Sequence, residues 1–112
     1  ARELQKKDGQ WWRAKGADGF CPVGPAVEAG VDPGDLHIET RVDGVVKQSA
    51  RTSDMIFDVG TLVAHVTRWM TLEPGDLILT GTPEGVAPLA PGQTVEVEIE
   101  KVGCLRITVE AE

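Results

Sequence analysis

No apolar run in this 112-residue chain approaches the roughly 18 residues of a membrane-spanning helix. The longest candidate, around Val59 to Met70, is interrupted by His65 and Arg68. Basic residues are also in short supply. Against 18 Asp and Glu there are 11 Lys and Arg, a formal net charge of -7. Duplex nucleic acid is bound by cations that neutralise phosphates, so nucleic acid is not an expected partner. The same charge disfavours an anionic membrane surface. Cysteine is limited to Cys21 and Cys104, far apart and at no metal-ligand spacing. A disulfide and a reduced pair are both open to them, and a reduced cytosolic pair is the usual state of an unstapled domain of this size. His37 and His65 are equally isolated, and nothing resembles a zinc site. The opening Ala1-Arg2-Glu3-Leu4-Gln5 has neither an initiator Met nor the apolar core of a signal peptide. It reads as a chain entered midway, with upstream residues removed or belonging to another chain. Internal repeats, linkers and low-complexity tracts are absent.

What is present is ordinary globular composition, 41% hydrophobic and 26% charged, enough for one domain over residues 1–112 and too little for two. Up to about Gly30 the close spacing of Gly9, Gly16, Gly19, Pro22, Gly24 and Pro25 predicts irregular structure, apart from a turn or two of helix over Arg2 to Lys7. Long glycine-rich loops in compact domains are usually functional. Then Leu36, Ile38, Thr40 and Val42 alternate with His37, Glu39 and Arg41, the period of a half-buried strand. Asp43-Gly44 is a hairpin signal, because both central positions of a type I′ turn need positive φ. Val45 to Arg51 is the expected return strand. Asp58 is a plausible N-cap for a helix to about Met70, with Val59, Leu62, Val63, Val66 and Met70 on one face. After the Glu73-Pro74-Gly75-Asp76 turn, Leu77 to Thr80 reads as a short buried strand. Val95, Val97 and Ile99 oppose Glu96, Glu98 and Glu100, and Leu105, Ile107 and Val109 repeat the alternation. Together these predict a β-rich α+β domain.

Several motifs then fall in a recognisable order. Ala1-Arg2-Glu3-Leu4-Gln5 resembles the Ala-Arg-Asp-x-Gln segment of the fumarylacetoacetate hydrolase superfamily. Ala14-Lys15-Gly16 with Phe20-Cys21-Pro22-Val23-Gly24-Pro25 is similar to its lysine loop and Pro-x-Gly-Pro end. Thr52 to Phe57 and Leu72 to Gly85, the latter ending in Thr80-Gly81-Thr82-Pro83-Glu84-Gly85, match in turn. Each motif is weak alone, and their succession along essentially the whole chain is what carries the resemblance. It implies a mixed β-roll or sandwich of the family's C-terminal domain type, usually dimeric. It further implies a cytoplasmic enzyme of aromatic catabolism with a divalent cation, commonly magnesium, manganese or calcium. The chemistry implied is hydrolysis, decarboxylation or isomerisation of 2-oxo and β-diketo acids such as acylpyruvates. In all of these an enolate develops beside a carbonyl, where a hard cation acts as Lewis acid.

The family's metal ligands are a Glu-x-Glu pair and an Asp that would fall upstream of Ala1, so no residue here takes a metal role. The chain's own N-terminal part is then its first partner. The other roles carry over by position. Lys15 is the implied catalytic residue, placed to stabilise the enolate or a substrate carboxylate; without the resemblance it would be an exposed loop lysine. Arg2 is implied to bind a substrate oxygen or to hold a metal-binding carboxylate, and Gln5 to hydrogen-bond substrate, against plainer readings as a frayed-end arginine and a solvated helix residue. Gly81 and Thr82 follow a strand, where loops often present binding groups, and Thr82 offers a hydroxyl and a backbone N–H to a carboxylate; the plainer reading is a strand-ending turn. Phe20 and Pro22 shape a pocket wall or merely pack a loop.

Three features are set aside. Glu96, Glu98 and Glu100 form the solvated side of a sheet more readily than a calcium site. Trp11 and Trp12 beside Arg13 make a poor stacking platform in an acidic domain. His65 lies mid-helix without an evident partner. The sequence also departs from the family, with Glu3 where Asp is usual and a small, flexible lysine loop at Ala17 and Gly19. A non-catalytic β-rich binding or assembly module is the alternative from a different class.

Overall fold

The computed structural model describes residues 2–111. Strands β1 (His37–Val42), β2 (Val45–Arg51), β3 (Thr94–Ile99) and β4 (Gly103–Thr108) form one four-stranded sheet in the order β2-β1-β3-β4. Every ladder is antiparallel. Around it lie three short helices, α1 (Arg2–Asp8), α2 (Trp12–Lys15) and α3 (Val59–Val66), and a 3-10 turn at Thr52–Asp54. The result is a small antiparallel sheet with few helices, as the alternating pattern predicts.

The β1–β2 hairpin turns on Asp43 and Gly44, with φ of 51° and 78°. Asp tolerates positive φ better than most residues because its side chain is short and polar. Here its carboxylate also accepts from the Thr94 N–H at 2.9 Å and from Gln93 Nε2 at 3.0 Å, tying the hairpin to the start of β3. The ladder slips once, between Thr40 and Arg41: Thr40 faces Gln48 while Arg41 faces Val46, leaving Lys47 as the extra residue of a bulge.

One face of the sheet carries charge. Arg41 reaches Glu39 Oε1 at 2.5 Å, Glu98 Oε2 at 2.7 Å and Glu96 Oε2 at 3.6 Å. Glu98 and then Glu39 push the guanidinium pKa upward by hydrogen bonding. The glutamate row is thus a cross-strand ion-pair lattice on the polar face. The opposite face bears Val42 and Val95, which with Leu36 and Ala14 are the buried apolar residues.

Three expectations need correction. The helix predicted to run to Met70 ends at Val66. Thr67 Oγ1 donates to the Val63 and Ala64 carbonyls at 3.0 and 3.2 Å, and the following bonds shorten into turns, such as Trp69 N–H to Val66 O at 3.0 Å. A back-bonding threonine competes with helix continuation, and Met70 is left exposed. Leu77 to Thr80 is neither a paired strand nor buried: it has no ladder among the described residues, and Leu77 and Leu79 are 60% and 78% exposed. Its unbroken apolar run is the pattern of a strand covered on both faces, and the described residues cover neither. A single-turn α2 appears in the segment expected to be irregular.

Asp58 caps α3 by accepting from the Thr61 N–H at 2.6 Å, and that backbone bond holds its carboxyl below its ordinary value of 3.8. Because the folded pKa is depressed, the cap's contribution is complete above that ordinary value and is lost as the pH falls through the lower folded one. Amide exchange at Leu62 to Val66 should therefore accelerate below about pH 4 relative to the sheet amides. Asp58→Ala should produce that acceleration at neutral pH, with Asp58→Ser retaining most of the protection.

Candidate functional site

The 3-10 turn after β2 is pinned on several sides. Thr52 Oγ1 accepts from the Leu36 N–H at 2.8 Å, and the Thr52 N–H donates to Leu36 O at 2.9 Å. Arg51 Nε and Ser53 Oγ both donate to Asp35 Oδ1, at 2.5 and 2.9 Å. The Arg51 side chain and then Ser53 hold the Asp35 carboxyl below its ordinary range. These bonds fix the course of Met55, Ile56 and Phe57, which line one wall of a cavity of about 420 Å3.

The facing wall is Thr80-Gly81-Thr82-Pro83. Two motifs far apart in sequence, Thr52 to Phe57 and Thr80 to Gly85, thus meet on one cavity. The second is fastened to β2 by Gln48, whose Nε2 donates to Thr82 Oγ1 at 2.8 Å, to Pro83 O at 2.8 Å and to Glu84 O at 3.3 Å. Gly85, at φ +99°, lies directly against the carbonyl of the bulge residue Lys47.

Of the sequence-predicted residues, Gly81 and Thr82 line this cavity, whereas Arg2, Gln5 and Lys15 do not. Those three belong to the α1–α2 unit, where the helices pack on each other. Arg13 joins them by a two-pronged bond to Asp8, Nε to Oδ2 at 2.8 Å and Nη2 to Oδ1 at 2.7 Å. The hydrogen bond from Arg13 holds the Asp8 carboxyl below its ordinary range. Ala14, 1% exposed, anchors α2, and Lys15 follows it at the exposed end of the helix. Ala1, the first residue of the first motif, lies outside the described residues. Phe20 and Pro22 are exposed and do not line the cavity.

Gln48 was not singled out from the sequence. The available signal is its place on β2: it faces Thr40 on the side of the sheet shared by Ile38 and Ala50, where a lone amide needs a partner. Cys21 and Cys104 are unbonded and exposed. Among the described residues no group of three or more His, Cys, Asp or Glu is placed to hold a metal ion. No helix among them is long and apolar enough to cross a membrane.

This is a domain that presents a tethered glycine-threonine loop to a small-molecule-sized cavity beside an antiparallel sheet. The chain belongs to the fumarylacetoacetate hydrolase family: residues 1–110 match the family's description, fumarylacetoacetate (FAA) hydrolase C-terminal. It is similar to the crystal structure of 2-hydroxyhepta-2,4-diene-1,7-dioate isomerase from Mycobacterium marinum, with 58% identity and a TM-score of 0.96 over 98% of this chain and 44% of that one. Maleylpyruvate hydrolase from Sphingobium sp. SYK-6, in complex with manganese (II) ion and pyruvate, shares 39% identity and a TM-score of 0.80 over 84% of this chain and 37% of that one. The mitochondrial oxaloacetate tautomerase of Rattus norvegicus is 41% identical over 116 residues, covering 94% of this chain and 37% of its own length. The relatives thus include isomerases, hydrolases and tautomerases. The chain spans about half the length, or somewhat less, of the curated relatives it matches.

Proposed function

We propose that this chain is the C-terminal part of a cytoplasmic, metal-dependent enzyme that hydrolyses, decarboxylates or isomerises 2-oxo or β-diketo acids, acylpyruvates and oxaloacetate among them. The observation that carries the reading is the convergence of the Thr52–Phe57 and Thr80–Gly85 segments on one cavity. Support comes also from relatives whose names include an oxaloacetate tautomerase and a hydrolase solved with pyruvate.

In this reading the Thr82 hydroxyl and backbone N–H hold a substrate carboxylate at the apolar cavity. Gly81 lets the substrate approach the backbone closely. Lys15 supplies a positive charge where negative charge develops on the substrate oxygen, and Arg2 and Gln5 orient the remaining oxygens. The proposed divalent cation, magnesium, manganese or calcium, finds no ligand set among the described residues, and we assign its ligands to the protein's own N-terminal part. That part is also the natural cover for Leu77 and Leu79 and for Ile56, which is 92% exposed. For the whole protein we propose a closed β-roll or sandwich and a homodimer.

The test uses the full-length protein with an acylpyruvate and with oxaloacetate, in magnesium or manganese. Consumption of at least one substrate is expected, abolished by a chelator and restored by added metal. Failure to consume either with both metals would return the chain to the class of binding or assembly modules.

A further inference from the structure

We infer that Gln48 is a positioning residue that keeps the Thr82 hydroxyl proton off β2 and turned to the cavity, and so favours an acceptor oxygen, a carboxylate above all, over an ammonium at this loop. The inference rests on the reading of Thr82 as the carboxylate-binding residue.

The argument begins with which end of the Gln48 amide faces the loop. Carbonyl oxygens can only accept, and the Pro83 and Glu84 carbonyls lie 2.8 and 3.3 Å from this end. The end facing them is therefore the NH2, an assignment the partners themselves require. An amide NH2 has two protons. The two contacts at 2.8 Å, Thr82 Oγ1 and Pro83 O, take them, with Glu84 O sharing at longer range.

Thr82 Oγ1 is therefore the acceptor in its bond with Gln48. A hydroxyl carries a single proton, and that proton cannot lie along a line already occupied by a proton of the amide. It is left for the cavity side, where Thr82 is part of the lining. With one of its two lone pairs engaged by a fixed donor, the oxygen presents its proton to an acceptor on the cavity side. A carboxylate satisfies that proton through a charge-assisted bond, and a cationic nitrogen does not. The bulge at Lys47 contributes by setting the register in which Gln48 meets the loop.

The test is a double-mutant cycle in the full-length protein, reading KM and kcat for oxaloacetate with magnesium, together with thermal unfolding. Gln48→Glu keeps the length of the side chain and replaces its donor by an acceptor, which draws the Thr82 proton back toward β2. Expected is a KM raised ~10-fold or more with kcat changed less than ~3-fold, since binding to ground state and transition state is weakened alike. In a Thr82→Val background, which has no hydroxyl to orient, Gln48→Glu keeps only the cost of its lost bonds to Pro83 and Glu84 and should raise KM several-fold less than in wild type. The competing role for Gln48 is only to tie down the loop through Pro83 and Glu84. That role survives loss of the hydroxyl, so an equal cost in both backgrounds overturns the inference, as does an unchanged KM in Gln48→Glu. Wild-type protein without turnover overturns the proposed function and this inference with it; turnover with additive costs overturns this inference alone.

Discussion

Gly85→Ala should be among the most damaging single substitutions in the chain, lowering the melting temperature of the full-length protein and removing nearly all turnover. Two penalties coincide at this position. The backbone sits at φ +99°, a region that side-chain-bearing residues rarely adopt, and holding one there costs roughly 1–3 kcal/mol. The added methyl would also overlap the Lys47 carbonyl oxygen and stand 3.0 Å from its carbon. Both are backbone atoms of a paired strand and cannot swing aside, so overpacking adds roughly another 1–3 kcal/mol. The loop's only relief is to lift from β2, which breaks the Gln48 bonds and carries Thr82 away from the cavity wall. Gly75→Ala is the internal control: its φ is +100°, nearly the same, yet nothing lies within 4 Å of the added methyl. Its loss should be the backbone term alone, with turnover largely kept. Thermal unfolding and oxaloacetate kinetics on both variants decide the matter, and equal effects would mean that the close approach to Lys47 has no consequence.

The hairpin was legible because its signals are local: a period of two on either side of Asp43-Gly44, whose backbone needs are written in two adjacent residues. The Asp58 cap was legible for the same reason. Leu77 to Thr80 was misread because an apolar run specifies a buried strand without saying what buries it, and neither face is covered by the described residues. Helix α2 escaped notice because a four-residue turn owes little to intrinsic propensity. It is held by the fork from Arg13 to Asp8 and by burial of Ala14. Gln48 escaped because its partners lie more than thirty residues on, and the bulge that aligns them is a property of the ladder. The resemblance pointed to Gly81 and Thr82, which line the cavity, and to nothing at Gln48, which bonds Thr82.

Lys15→Ala should produce the largest catalytic effect, a fall in kcat of roughly 10²- to 10³-fold, the scale of losing one group aimed at developing charge. The cost to folding should be small. Lys15 is exposed, and among the described residues it joins none of the ion pairs. Its helix is held by its neighbours Arg13 and Ala14, which the substitution leaves untouched. Lys15→Arg keeps the charge but spreads it over a planar group of different reach, so it should recover only part of the rate. These expectations separate rate from stability, and measuring kcat beside thermal unfolding in the full-length protein reads both. The cavity that contains Thr82 does not include Lys15 in its lining, so a role in the reaction requires the α1–α2 unit to bring its lysine to the substrate from outside that wall. A full rate in Lys15→Ala would mean that it does not, and that the charge facing the substrate comes from another residue.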